Sequence, residues 1–136
     1  MGLSESGLQL AALAIACAFA LWVAAGSAVA IVRPSKARGW IARFATSHVI
    51  NIAEQAWRGL AGAALVLRAP EALWTEAFHI AGWVLIASSA ALLVVPLRWH
   101  AGYAVWWSRN LPLAAVRAAG VAGVVLAVAL VAGAFG

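Results

Sequence analysis

Four apolar stretches separated by short polar ones run along this chain, over residues 8–32, 49–69, 77–97 and 113–135. Each has about the 20 residues that a helix needs to cross a bilayer. The predicted fold is an all-α integral membrane protein with four transmembrane helices in one domain over residues 1–136. Residues 33–48 and 98–112 form two amphipathic linkers with aromatic side chains. The first stretch ends at Arg33-Pro34 and the third at Pro96, where proline interrupts helical hydrogen bonding.

The second stretch differs from the others. Its uninterrupted apolar core covers only residues 59–67, so a crossing helix must also carry Glu54 and Arg58. Both fall within about the first three turns, where side chains can snorkel and an i,i+4 acid–base pair offsets part of the insertion cost.

Charge sets an expected orientation. Of the nine Lys and Arg residues, Arg33, Lys36, Arg38, Arg43, Arg98 and Arg109 lie in the two linkers, and Arg58 and Arg117 lie just inside the following stretches. Only Arg68 lies near the opposite ends, which carry Glu5, Glu71 and Glu76. Basic short loops mark the cytoplasmic face, which places both termini outside. Residues 8–32 are expected to be a retained span even though Ala28-Val29-Ala30 resembles a cleavage site, because no base precedes the stretch and it is too long for a signal core.

Composition agrees with this placement, at 66% hydrophobic and 10% charged residues. A water-soluble domain carries about one-quarter charged residues. The net charge of +5 flanks the spans rather than forming one basic face, so nucleic acid is not an expected partner. Membrane lipids are. Cys17, the single cysteine, is expected to pack as a small residue inside the first span.

Two sets of positions recur at a nearly constant offset. Pro34, Lys36 and Phe44 match Pro96, Arg98 and Trp106 at 62 residues, and Gly59 and Gly62 match Gly120 and Gly123 at 61. The pattern predicts two tandem helical hairpins in the same orientation, related by an axis along the membrane normal. With Pro34, Trp40, Arg58 and Gly62 in one half and Pro96, Trp99, Arg117 and Gly123 in the other, the chain resembles a broad group of small bacterial inner-membrane proteins built from such hairpins. The resemblance implies residence in the bacterial inner membrane and brings no activity with it.

Small residues supply the expected packing faces, since close approach drives association between helices in lipid. Ala12, Ala16, Ala20, Ala24 and Ala28 form one row, and Ala115, Ala119, Gly123 and Ala127 another, with Gly59 and Gly62 on the second span. Each row can meet the other or a second copy of the chain. Trp40, Trp74, Trp99, Trp106 and Trp107 lie near span ends and are expected to anchor at the interface. Trp22 and Trp83 lie deeper.

The candidate chemistry is a polar row entering the second span. His48, Asn51, Gln55 and Arg58 fall with Gly62 in a sector of about 80°, with Glu54 on its flank. Such a row can grip a headgroup, relay protons or dock a partner, or it can simply turn the polar face of an amphipathic helix to water. Glu76 and His79 make a single Glu-x-x-His step, too few ligands for a di-metal bundle site. No metal, haem or other cofactor is expected, and no catalytic residue is named, because no phosphate-binding loop, His-Glu-x-x-His or nucleophile elbow occurs. The leading expectation is a non-catalytic accessory, assembly or scaffold subunit that packs with another membrane protein or with itself. The alternatives are a small oligomeric transporter or channel, and a protein that binds a lipid or hydrophobic cofactor between the hairpins, with Trp22 and Trp83 as walls and Arg58 as a clamp.

Overall fold

Prolines and one serine punctuate the structure. A computed structural model describes the backbone of residues 3–136 and the side chains of residues 5–43 and 47–136. Among these, α1 is Leu3–Val32, α2 Pro34–Thr46, α3 His48–Arg68, α4 Thr75–Val94, α5 Leu97–Asn110 and α6 Leu113–Ala134, with a single 3-10 turn at Ala69–Glu71. A residue before proline is pushed out of the helical region. Accordingly Arg33 (ψ 68°), Val95 (ψ 134°) and Leu111 (ψ 121°) break the chain before Pro34, Pro96 and Pro112. Between α2 and α3 the break is at Ser47, whose Oγ accepts from the Ile50 N–H and caps α3.

Among the described residues, three helices are long and apolar enough to cross a membrane: α1 over Glu5–Val32, α4 and α6. At 21 residues α3 is as long as α4, but it carries Glu54, Arg58 and Arg68 and falls short of their apolarity. The predicted linkers are themselves helices, α2 and α5. Long, short and long helices therefore follow one another twice.

The hairpins predicted from neighbouring spans are not the main packing units. α1 packs most extensively on α6, α3 on α4, and α2 on α5, with a smaller contact between α1 and α3. Small residues explain these choices. A Cβ added to Gly62 would lie 2.6 Å from the Gly82 carbonyl oxygen, and one added to Gly82 would lie 2.6 Å from that of Gly62. At the other crossing a Cβ on Gly120 would lie 2.8 Å from the Ser27 carbonyl oxygen, and one on Gly123 would overlap the Ser27 hydroxyl. Ser89 stands 62 residues after Ser27; its hydroxyl approaches Gly59, while Ser27 meets Gly120 through its backbone carbonyl. The sequence repeat thus brings equivalent residues to equivalent crossings, although Phe44, one of its members, lies outside the described side chains.

The alanine row of α1 curves around the helix. A four-residue step advances about 40° beyond a full turn, so the row rotates by about 160° from its first member to its last. Ala12, Ala16 and Ala20 are buried, Ala24 is half-buried and Ala28 is exposed, while Ser27 occupies the contact at that level. On α6 the buried positions are Val116, Gly120, Ala127, Leu130, Gly133 and Ala134. Ala119 is exposed, and Ala115 and Gly123 are half-buried. Leu65, Phe19 and Phe78 fill the core among the small residues.

Candidate functional site

Two helix faces and two helix ends build a cavity at the α2–α5 end of the bundle. His100, Tyr103, Ala104 and Trp107 follow i, i+3, i+4, i+7 spacing on α5, and Ala37, Trp40 and Ile41 follow i, i+3, i+4 on α2. Both sets line one open-sided cavity of about 890 Å³, closed on the other sides by α1 from Trp22 to Ala30 and by Val116, Ala119 and Gly120 of α6. That volume lies within the range of small-molecule sites. Glu54 is the acidic side chain on its wall. A side recess of about 250 Å³, lined by Ile50, Ala53 and Trp57, shares Trp22 and Glu54 with the main cavity.

The lining is apolar and aromatic with few polar groups. Tyr103 and Trp107 meet edge to face at 6.0 Å, Trp106 and Trp107 at 5.1 Å, and Phe19 stacks on Trp22 at 5.7 Å. Two buried polar atoms at this site have no hydrogen-bond partner among the described residues: Nδ1 of His100 in the cavity and Nε1 of Trp57 in the recess. Buried polar groups are normally satisfied, and these two atoms, which have almost no accessible surface, are exceptions. Around the cavity, Lys36 lies over the Trp40 ring at 5.7 Å, and Arg38 donates to the Leu111 carbonyl at 3.2 Å, tying α2 to the start of α6.

The polar row of α3 turns largely away from this space. Asn51 is 5% exposed and Gln55 1%. Gln55 donates to Asn51 at 3.4 Å, Arg58 Nη1 donates to Gln55 at 3.2 Å, and Arg58 Nη2 reaches Ser88 of α4 at 3.0 Å. The row is a hydrogen-bonded chain along α3 that reaches α4 at Ser88, one turn before the close approach of Gly62 to Gly82. His48 is exposed at its entrance. Glu54, one residue and so about 100° round the helix from Gln55, looks the other way into the cavity. The expected Glu54–Arg58 ion pair does not form, because Arg58 is drawn to Ser88; Arg68–Glu71 is the ion pair among the described residues.

Other expected positions fall as follows. Trp40 and Trp107 line the cavity, while Trp74, Trp99 and Trp106 are exposed near helix ends. Trp22 is a wall of the cavity, but Trp83 is exposed on α4 and Arg58 is not at the site. Glu76 and His79 are exposed at the start of α4, and no group of three or more His, Cys, Asp or Glu able to hold a metal occurs among the described residues. The contributions of His100 and Tyr103 went unread in the sequence. Their spacing with Trp107 and Leu111 on one side of α5 was the available signal.

The opposite end of the bundle is tied rather than hollow. Nε of Arg68 donates to the Ala134 carbonyl at 2.8 Å, and its Nη1 bonds Gln9 at 3.3 Å and the Glu71 carboxylate. Gln9 in turn donates to the Leu67 carbonyl at 2.8 Å, and the Leu73 N–H donates to the Gly133 carbonyl at 2.9 Å. Comparison of the chain with protein-family models, with characterised proteins and with solved structures finds no match.

Proposed function

We propose that this chain is a non-catalytic, four-span protein of the bacterial inner membrane, both termini outside, that binds a lipid or other hydrophobic molecule in the aromatic cavity. The observation that carries the reading is the cavity itself: about 890 Å³ walled by Trp22, Trp40, Tyr103 and Trp107, with only a few polar groups. The small-residue faces that would otherwise serve a partner are largely spent on the chain's own crossings, at Gly62–Gly82 and Ser27–Gly120. Native mass spectrometry of protein released gently from its membrane should retain one amphiphile at fixed stoichiometry. Ala119→Trp, at an exposed position on the cavity wall, should reduce that occupancy about tenfold by filling the space. Unchanged occupancy in the variant would sink the assignment of the ligand to this cavity.

Topology has its own test. The basic residues flanking α2 and α5 support a cytoplasmic position for both, which requires α3 to cross despite Glu54 and Arg58. Alkaline phosphatase fused after Gly136 should be active and fused after Arg109 inactive. Activity at both junctions would overturn the four-span arrangement.

A second reading, an accessory subunit assembling with another membrane protein or a second copy, is favoured by α4. This helix packs chiefly on α3, and it exposes Ile80, Trp83, Val84 and Val94 elsewhere along its length. Disulfide crosslinking of an Ala87→Cys variant should then yield a discrete dimer or a defined heteromeric adduct, and a purely monomeric product would remove the reading.

A further inference from the structure

Building on that binding reading, we infer that the cavity selects a lipophilic amine or other organic cation, held at Glu54 against the indole faces. Two observations converge. First, Glu54 lines both the main cavity and its recess, and no described base forms an ion pair with it. Arg58, the base one turn further along α3, is committed to Gln55 and Ser88. A half-buried carboxylate with no ion-pair partner, set on an apolar wall, attracts a cation more strongly than one surrounded by bulk water.

Second, the rings around it suit a cation. Trp22 stands beside Glu54 in both spaces, and Trp40, Tyr103 and Trp107 line the rest of the cavity. Aromatic faces attract ammonium groups electrostatically, and indole does so best. The bases at this end do not supply a competing anion site inside the cavity. No Lys or Arg is among its described lining residues; Arg33, Lys36, Arg43, Arg98, Arg109 and Arg117 are exposed, and Arg38 donates to the Leu111 carbonyl. Charges facing water act weakly over distance compared with one on an apolar wall.

The ligand class is thus a hydrophobic tail or ring system with one positive nitrogen. Binding of dodecylammonium, dodecanol and dodecanoate to the full chain in lipid nanodiscs tests it, with protein-free nanodiscs as the blank for partition into lipid. Dodecylammonium should bind at least about tenfold more tightly than dodecanol, and dodecanoate weakest. Glu54→Gln, of nearly the same shape, should bring the amine-to-alcohol ratio close to one without weakening dodecanol, and Glu54→Asp should keep part of the preference. A ratio near one in the native chain, a ratio untouched by Glu54→Gln, or tightest binding of dodecanoate would each overturn selection for a cation while leaving the cavity a binding site. Failure of all three probes to bind would take down the binding reading as well.

Discussion

Arg68→Ala should destabilise the folded bundle by about 2–3 kcal/mol, measured by titration from mild detergent into a denaturing one. The Arg68 side chain is 10% exposed and touches three elements at once: the last turn of α6 through the Ala134 carbonyl, α1 through Gln9, and the 3-10 turn through Glu71. The carbonyls that end α6 have no helical donors of their own and carry partial negative charge, which a buried guanidinium both satisfies and neutralises. Truncation removes those donors. It leaves Glu71 at 38% exposure, so water recovers part of the loss, and this keeps the expected cost at the low end for a broken ion pair. Arg68→Lys should retain roughly half the stability because an ammonium cannot reproduce the planar fork. Arg98→Ala, at an exposed site, should change stability by less than about 0.5 kcal/mol. Equal effects at positions 68 and 98 would show that the tie contributes nothing.

The second large effect is expected at the α3–α4 crossing. A methyl group at Gly62 would meet the Gly82 carbonyl oxygen at 2.6 Å, Ile86 at 2.9 Å and Leu85 at 3.0 Å; at Gly82 it would meet the Gly62 carbonyl oxygen and the Val66 backbone nitrogen at 2.9 Å. The obstacle in both directions is backbone, which cannot rotate aside, so the helices must separate along their length. Alanine at either position should cost about 1–3 kcal/mol. The double variant should cost less than the sum, since a separation made once accommodates both methyl groups. Gly26 and Gly102 have open space where a Cβ would go, and alanine there should be neutral or stabilising by up to about 1 kcal/mol through helix propensity. Additive costs at positions 62 and 82 would argue against a shared close approach.

Much of the polar row on α3 was legible as a row and illegible as a contact. Asn51, Gln55 and Arg58 share a face by periodicity alone, and the structure keeps them on one face. Which neighbour that face meets depends on α4, where Ser88 supplies the acceptor for Arg58 and so separates it from Glu54. An i,i+4 acid–base pair is worth only a few tenths of a kcal/mol on a helix surface, too little to resist a buried interhelical bond. Arg68 shows the same limit. In sequence it is the exception to the charge asymmetry, and only the meeting of α1, α3 and α6 reveals why a base stands there.

By itself the sequence determined the long apolar segments, the breaks at Pro34 and Pro96 and the recurrence of span, amphipathic linker and span. These properties rest on local physics: transfer of side chains from water and the clash of a proline ring with the residue before it. Tertiary structure alone decided that α1 pairs with α6 and α3 with α4, that the linker helices wall a cavity, and that Glu54 faces it. Alanine and glycine faces resemble one another closely, and any of them can pack on any other. The choice falls to the crossings that several helices satisfy together, with Ser27 against Gly120, Ser89 against Gly59 and Gly62 against Gly82.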